Sequence, residues 1–345
     1  MTIRKIAELA GVSIGTVDRV INNRGKVSPV VEKRIRNIID EFGYKPNIAA
    51  KSLSMKHKLP KVGVLFHMKQ SGFYDKVLEG IEKAQSELSD FGVNILIRYA
   101  KNFNVNSQLE IIDELIEQGT KALAIDPIND SRIADKLDEL IISGFPVYCL
   151  VNDIETHHCH PFIGPNAKET GRLAAGLANI VSGNSKQKMA VISPPLKMLS
   201  HTQKIEGLKE ELTTRYDHIE LIGVCEVSNN NIEAYKSVLN YMKKHKDISI
   251  IWYAIAINDG GITALEELDF LGKIKVISLD TQDFIRKGFE EGYITATISQ
   301  QPDKQGYHAI KRIFDNLIKD KYPCDLIDEI PCEIIIRESI FRSGE

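Results

Sequence analysis

The sequence predicts an N-terminal all-α head with a helix-turn-helix, followed by an α/β body of two lobes, each a doubly wound parallel sheet. Three short helical patterns occupy the first sixty residues. From Lys61 onward, apolar strand-like runs alternate with helical patterns, as is typical of parallel sheets covered by helices. The charge also changes sign, because residues 1–58 hold twelve basic and five acidic residues, whereas the rest carries a net −10. This asymmetry indicates that the head, and not the body, meets a polyanion.

The helices of the head are placed by their ends. The first begins at Thr2 and ends at Gly11, and the turn GVS leads to a second helix that Ser13 caps. The third begins at Ser28 and ends at Gly43. Apolar residues at i, i+3 and i+4 on the second helix leave a polar face on its other side. This order predicts a helix-turn-helix, the alternative being a three-helix module of another role.

The amino-acid sequence of the head resembles that of a known family. IAELAGVSIGTVDRVIN, VSPVVEKRI and FGYKPN strongly resemble the DNA-binding head of the lactose-repressor (LacI/GalR) family, over residues 2–57. The resemblance implies a DNA-binding domain over residues 1–46 that binds a pseudo-palindromic double-stranded operator as a homodimer or tetramer. At the base-reading positions, Ile14 and Gly15 cannot form bidentate hydrogen bonds, although Ile14 can contact a thymine methyl group. The DNA-contacting positions of the family correspond to Ser13, Ile14, Gly15, Thr16, Asp18, Arg19, Asn22, Asn47, Ala50 and Leu53.

Residues 47–60 are predicted to be a hinge helix and linker. Asn47 can cap a helix from Ile48 to Leu53, which is too short to be stable alone in water. In the family that this segment resembles, the hinge folds when two copies lie side by side in the DNA minor groove. Leu53 matches the apolar residue that wedges a base step there. The alternative is a plain linker.

The body, residues 61–345, is expected to bind a small molecule between its lobes. Lobe 1 is predicted over about 61–164 and 301–329, and lobe 2 over about 165–300 and 330–345. Ligands of doubly wound sheets bind beyond the carboxyl ends of the strands. The residues there include amides, carboxylates and two aromatic rings, which suit a polyhydroxylated molecule, although Asx residues also favour turns. These segments are HMKQSGFY, DPIND, VNDIE, IGPN, NDGG, LDTQD and ISQQPD.

The body also resembles the effector domains of the same family, which are similar to periplasmic sugar-binding proteins of the ribose-binding type. The resemblance implies a sugar or sugar-like effector. Lys204 stands where an arginine is usual and Val151 where a carboxylate is usual, which favours a modified sugar, a polyol or a sugar acid. The effector-binding positions correspond to Ser71, Phe73, Tyr74, Asn152, Asp153, Asn166, Lys204, Asn258, Asp280 and Gln300.

The segment ETHHCHPF, residues 155–162, raises the question of a metal site. Adjacent ligands on one loop rarely close a tetrahedron by themselves, and the sequence has no recognisable zinc-binding spacing. The loop is therefore predicted to be solvated or at an interface, and neither a metal nor a cofactor is predicted.

Three functions fit these patterns to different degrees. The leading hypothesis is a transcriptional repressor whose operator affinity responds to a sugar-type effector. The second is a DNA-binding regulator controlled by a protein corepressor, with a vestigial pocket. The third is an enzyme, but the sequence has no GxSxG elbow after a predicted strand, no Walker loop, no GxGxxG and no HExxH, so no catalytic residue is predicted.

The subcellular location is predicted from the lack of a signal-peptide pattern and of a long apolar run. Its opening is a short amphipathic helix instead of a signal peptide, and no run approaches eighteen apolar residues. Its odd number of scattered cysteines suggests reduced thiols. We expect a cytoplasmic protein that is nucleoid-associated when bound to DNA and that has no membrane partner.

Overall fold

The computed structural model describes residues 3–21, 27–42, 60–69, 72–101, 103–183, 185–228, 230–255, 259–281, 283–319, 322 and 326–340. Within these ranges, no helix combines the length and the apolar character needed to cross a bilayer.

Three helices form the head, with bounds close to those predicted. They are α1 (Ile3–Ala10), α2 (Ile14–Ile21) and α3 (Pro29–Glu41). Each contributes a fully buried aliphatic side chain to one small core, namely Ile6, Val17 and Ile35. The α1–turn–α2 order confirms the predicted helical arrangement of the head.

The first sheet of the body has six strands in the order β11-β5-β4-β3-β1-β2, and every neighbouring pair is parallel. Helices cover both faces, so two apolar cores sandwich the sheet. The strands are β1 (Lys61–Phe66), β2 (Asn94–Tyr99), β3 (Thr120–Ile125), β4 (Val147–Leu150), β5 (Phe162–Gly164) and β11 (Ile327–Glu329). The helices are α4 (Phe73–Glu87), α5 (Val105–Glu117), α6 (Ser131–Ile142) and α12 (Pro302–Lys319).

The second sheet repeats this plan in the order β12-β10-β9-β8-β6-β7, again between two apolar cores. The strands are β6 (Gln187–Ser193), β7 (Ile219–Glu226), β8 (Ile250–Tyr253), β9 (Lys275–Leu279), β10 (Ala296–Ser299) and β12 (Glu333–Ile335). The helices are α7 (Ala167–Ser182), α8 (Leu199–Arg215), α9 (Asn231–Lys244), α10 (Asp259–Glu267), α11 (Asp283–Glu290) and α13 (Arg337–Ile340).

One strand departs from the predicted all-parallel sheets. β12 pairs with β10 in the antiparallel sense. β11 ends at the carboxyl edge of the first sheet, and only residues 330–332 separate it from β12. The chain therefore enters the second sheet from the carboxyl edge of that sheet, because a parallel entry would need a longer crossover.

Among the described residues, one pair of helices in each half packs through a glycine on both helices. A Cβ on Gly80 of α4 would lie 1.8 Å from a backbone oxygen of α12, and one on Gly306 of α12 would lie 2.0 Å from a backbone oxygen of α4. In the second half, Gly171 of α7 and Gly207 of α8 approach the opposite backbone in the same way, at 2.0 Å each. The oxygen facing Gly171 belongs to Lys204, so this contact fixes where α8 carries that side chain.

Candidate functional site

The outer face of α2 is open to solvent. Ser13 caps the helix, because its Oγ accepts a hydrogen bond from the Thr16 backbone N–H at 3.2 Å. Ser13, Ile14, Gly15 and Arg19 are exposed, and Ile14 shows 51% of its surface. An exposed aliphatic side chain at the start of a helix, next to an exposed arginine, can contact base edges and phosphates in a major groove. Thr16 and Asp18 are half-buried beside them.

A cavity of about 230 Å³ lies where the carboxyl ends of the two sheets face each other. Six of its lining residues are each the first residue after a strand, two in the first sheet and four in the second. This is the place where doubly wound sheets bind ligands. The six are His67, Val151, Pro194, Ala254, Asp280 and Gln300, after β1, β4, β6, β8, β9 and β10.

Asp126, the residue after β3, organises the polar groups on the first-sheet side. Its Oδ2 accepts from Nδ1 of His67 at 2.6 Å and from the Tyr74 hydroxyl at 2.7 Å, and its Oδ1 accepts from the Asn152 amide at 2.6 Å. Burial and the Asp126 charge raise the pKa of Tyr74 well above its usual value, so the phenol stays a donor. The Asn152 oxygen in turn accepts from Ser200 at the start of α8, which links the two sides of the cleft.

The second-sheet side combines a hydrogen-bonded pair, Asp280 and Gln300, with the buried ammonium of Lys204. The Asp280 carboxylate accepts from the Gln300 backbone N–H at 2.9 Å and from its amide at 2.7 Å, while burial raises the pKa of Asp280. The Lys204 ammonium is buried and makes no hydrogen bond or ion pair with another described residue. Burial lowers the pKa of Lys204, and the charges of Asp280 and Cys332 oppose that effect.

His201 is a neutral acceptor beside Lys204. Its Nδ1 donates to the Pro195 carbonyl oxygen at 2.9 Å, which leaves the lone pair on Nε2. Burial and the Lys204 charge lower the pKa of His201 to about 3. The side chain therefore stays uncharged at neutral pH, and the cleft offers a cation, an acceptor and a carboxylate on the same side.

Aromatic rings form the apolar wall of the cavity on the first-sheet side. Phe73 lies edge-on to Tyr74, with 5.4 Å between ring centroids, and Phe103 lies 4.7 Å from the His67 ring. The Lys197 ammonium of the second half sits 5.9 Å from the Phe103 ring centroid, a second contact across the cleft. Flat rings opposite hydrogen-bonding groups are what a molecule with one apolar face and one polar edge requires.

Backbone strain concentrates at this cavity. Of the five described non-glycine residues with left-handed backbone, Phe103, Val151 and Asp280 line the cavity and Gln301 follows a lining residue. Val151 has φ +70°, which is rare for a β-branched residue, and Asp280 has φ +64° at the equivalent place after β9. Such strain gathers at ligand sites because the surrounding structure holds it in place.

Comparison with known families agrees with both halves of this architecture. The family of bacterial regulatory proteins named lacI matches residues 2–47, and the periplasmic binding protein domain matches residues 62–321. The chain belongs to the lacI family of regulators, with a periplasmic binding protein body.

Individual relatives cover most of the chain. Catabolite control protein A of Priestia megaterium is 28% identical over 282 residues, which span 79% of this chain and 82% of that protein. The ribose import binding protein of Bacillus subtilis is 23% identical over 284 residues, 79% of this chain and 86% of that protein. Among solved structures, a solute-binding protein of an ABC transporter from Burkholderia graminis, in complex with D-arabinose, has the same fold. It matches with a TM-score of 0.74 at 18% identity, over 83% of this chain and 98% of that one.

The structure brings together part of the predicted effector-binding set in this periplasmic-binding-protein body. The predicted residues that line the cavity are Phe73, Tyr74, Asn152, Lys204, Asp280 and Gln300. Asp153 and Asn166 lie outside the lining, because Asp153 pairs with His160 and Asn166 caps α7 and donates to Glu329. The remaining predicted positions fall outside the described residues; they are Ser71 and Asn258 in the body, and Asn22, Asn47, Ala50 and Leu53 in the head and hinge.

Sequence reasoning missed several residues of the cavity region. His67 and Asp126 directly follow strands, and that position was available as a signal. Phe103 comes from the loop after β2, where nothing in the local pattern indicates that the ring reaches the cleft. Ser200 and His201 open α8, and only the packing of that helix brings them to Asn152 and Lys204.

Proposed function

We propose that this protein is a sequence-specific transcriptional repressor whose affinity for its operator changes when a small sugar or sugar-like effector binds the cavity. The observation that carries the proposal is a lined cleft in which the buried Lys204 ammonium has no hydrogen bond or ion pair with another described residue, in a chain whose residues 2–47 match the lacI family. A protein that needed the cleft only for packing would gain nothing from burying that charge.

The open face of α2 supports DNA as the macromolecular partner. Arg19 is exposed there, and the basic head sits on an acidic body that repels a polyanion. A homodimer would place one head on each half of a pseudo-palindromic operator. A protein that binds operator DNA would be located in the cytoplasm, at the nucleoid.

The hydrogen-bond donors and acceptors that face the cavity support a polyhydroxylated effector. The Lys204 ammonium can donate, and Nε2 of His201 and the remaining lone pairs of Asp280 can accept. Hydroxyl groups serve as both donors and acceptors, so a sugar edge can satisfy all three groups at once. The rings of Phe73 and Phe103 then cover the apolar C–H face of the sugar.

Coupling between cleft and operator requires only a modest free energy. A difference of about 1–3 kcal/mol in effector affinity between the DNA-bound and free forms changes operator affinity by roughly 5–150-fold. We assign the transmission to residues 47–60, with Leu53 as the minor-groove wedge. Leu53→Ser should then weaken operator binding strongly, whereas a plain linker would tolerate the substitution.

DNA recognition is tested first. An operator is selected from random duplexes, and its affinity is measured by fluorescence anisotropy at fixed salt. Arg19→Ala should weaken binding by about 1–3 kcal/mol, the usual cost of a lost base or phosphate contact. The matched control is Arg34→Ala, because Arg34 is an exposed arginine of α3. Equal losses in the two variants would contradict recognition through α2.

The effector is tested separately with a panel of sugars, polyols and sugar acids. A true effector should raise the melting temperature and change operator affinity, and both effects should disappear in Lys204→Met. If operator binding is intact but only a protein from the same cell stabilises the regulator, the corepressor mechanism replaces the sugar switch.

A further inference from the structure

Three side chains of different chemistry converge behind the cavity, at the loop between β4 and β5. Cys149 is the third residue of β4 and is fully buried. Asp153 and His160 stand near the two ends of the loop, with 39% and 7% of their side chains exposed. One ligand-type atom of each, a sulfur, an oxygen and a nitrogen, lies within 4.8 Å of the other two.

The hydrogen bonds around His160 fix the position of its ring proton. The Thr156 hydroxyl lies 2.7 Å from the His158 carbonyl oxygen, which can only accept, so the single hydroxyl proton points there. The same hydroxyl lies 2.9 Å from Nδ1 of His160 and must therefore accept from it. Nδ1 carries a proton, and in the neutral ring Nε2 carries only a lone pair.

That lone pair faces another acceptor. Nε2 of His160 lies 2.8 Å from Oδ1 of Asp153, which already accepts from the Ile154 backbone N–H at 2.9 Å. Two lone pairs at this distance repel unless a positive charge lies between them. A proton on Nε2 would supply this positive charge. A metal ion would supply it as well, and could also bind the Cys149 sulfur, which lies within 4.8 Å of both atoms.

We propose that Cys149, Asp153 and His160 form a binding site for a divalent metal ion, with Zn²⁺ as the ion that best suits one sulfur, one nitrogen and one oxygen ligand. On binding, the Cys149 thiol loses its proton to solvent and the thiolate joins the metal. A thiolate and a carboxylate neutralise the two positive charges, so the buried site carries no net charge. Water completes the tetrahedron on the exposed side of Asp153.

The observed distance between the nitrogen and the oxygen is close to what zinc requires. Zinc–nitrogen and zinc–oxygen bonds of about 2.0–2.2 Å place neighbouring ligand atoms roughly 3.3 Å apart in a tetrahedron. The nitrogen and oxygen of this site are 2.8 Å apart, so they need to separate by only about half an ångström. The loop side chains can supply this movement, whereas Cys149 is held in β4 between β3 and β5.

The surroundings have the features of a metal site. Histidine ligands almost always donate from the other ring nitrogen, which fixes their tautomer, and Thr156 receives that hydrogen bond here. Asp153 follows Asn152, whose amide joins Asp126 to Ser200 across the cleft. A bound metal would therefore anchor the chain directly beside the effector cavity.

The test uses the full-length protein, with Zn²⁺ and Co²⁺ as probes. Calorimetry should give one Zn²⁺ per chain, and Co²⁺ should produce the ultraviolet charge-transfer absorption of a cobalt–thiolate bond. Cys149→Ser should abolish that absorption, and Asp153→Asn and His160→Gln should each weaken Zn²⁺ binding by more than about 100-fold, beyond the usual effect of losing a supporting residue. Thr156→Val should weaken binding by about 10–100-fold.

Matched controls separate the site from adventitious binding. Cys225→Ser removes a buried thiol of the second sheet, and His158→Gln removes an exposed imidazole of the same loop. Both variants should bind Zn²⁺ like the unmodified protein. If Cys149→Ser fails to fold, the partly exposed Asp153→Asn carries the test. Absence of a cobalt–thiolate band, or unchanged affinity in Asp153→Asn, would overturn the proposal and leave an imidazolium–carboxylate ion pair.

Discussion

At the scale of single residues, Lys204 is a buried lysine in the wall of the cavity. It is 6% exposed, and Asp280, the carboxylate whose charge acts on the pKa of Lys204, already accepts two hydrogen bonds from Gln300. Because a buried charge without a hydrogen-bonding partner destabilises a fold, the placement of Lys204 supports the proposed contact with an effector.

Lys204→Met should separate stability from binding. Removing the buried charge should raise the free energy of unfolding of the ligand-free protein by roughly 1 kcal/mol or more. Effector affinity should fall by about 10–150-fold, because a hydrogen bond to a charged group contributes about 1.5–3 kcal/mol. Urea unfolding and calorimetry measure the two quantities. The control is Lys188→Met, because Lys188 forms a much more exposed ion pair with Asp247. If Lys204→Met lowers stability as well as affinity, the proposed binding role of Lys204 is refuted.

His201 should make the protein less stable in mild acid. Its folded pKa is about 3, whereas an unfolded histidine titrates near 6.5. Between these values the unfolded chain binds a proton that the folded chain does not. Stability therefore falls as the pH drops below about 6.5, by up to about 1.4 kcal/mol per pH unit from this residue.

His201→Gln should flatten that dependence. Urea unfolding between about pH 7 and pH 4 gives the slope for each protein. The difference between the unmodified protein and the variant isolates the contribution of His201, and the exposed His157→Gln serves as the control. Parallel pH curves would show that the imidazole is not buried in the folded state.

At the scale of secondary structure elements, helix pairs that touch through glycine position the cavity. α7 and α8 pack so closely that a side chain on Gly171 would meet the backbone oxygen of Lys204 at 2.0 Å. Gly176, on the same helix, has open space around it. The two positions therefore separate the conformational effect of glycine from its packing role.

Gly171→Ala and Gly176→Ala should change stability in opposite directions. The first forces the helices apart and should lower the free energy of unfolding by about 1–3 kcal/mol or more, as overpacking does. It should also weaken effector binding, because α8 carries Lys204. The second should raise the free energy of unfolding by about 0.5–1 kcal/mol, the helix preference of alanine over glycine. Chemical denaturation measures both, and effects of the same sign would contradict the close packing.

Most helices and strands could be predicted from the sequence because short stretches of neighbouring residues encode them. The apolar runs of β1 to β4 and of β6 to β9, and the caps at Ser13 and Ser28, are readable in a window of a few residues. The three-residue strands β5, β11 and β12 carry no such pattern. Their pairing partners, and the antiparallel direction of β12, depend on where the rest of the sheet already lies.

At the scale of the whole molecule, two contacts between described residues cross the cleft beside the cavity. Ser200 donates to Asn152, and the Lys197 ammonium lies over the Phe103 ring. Both join the first half of the body to the second, through residues beside the cavity. They form only when the lobes are together, which is also the arrangement that encloses a ligand.

Ser200→Ala should weaken the closed arrangement and leave each lobe intact. Effector affinity should fall by roughly 2–12-fold, which corresponds to the loss of about 0.5–1.5 kcal/mol from one hydrogen bond. The free energy of unfolding should change little. Calorimetry with the effector and urea unfolding test this expectation. Ser143→Ala, which removes a bond within the first half, should leave affinity unchanged. A comparable loss of affinity in that control would mean that the cross-cleft bond is not special.

The sequence by itself determined the helix-turn-helix head, the alternation of strands and helices in the body, and the expectation of a polar site at the strand ends. These features follow from caps, periodicity and charge, which neighbouring residues encode. Only the tertiary structure decided that Asp126 joins His67, Tyr74 and Asn152, and that Cys149 meets His160. Those groups are distant in the chain or separated by an irregular loop, and they meet because strand order and helix packing bring them together.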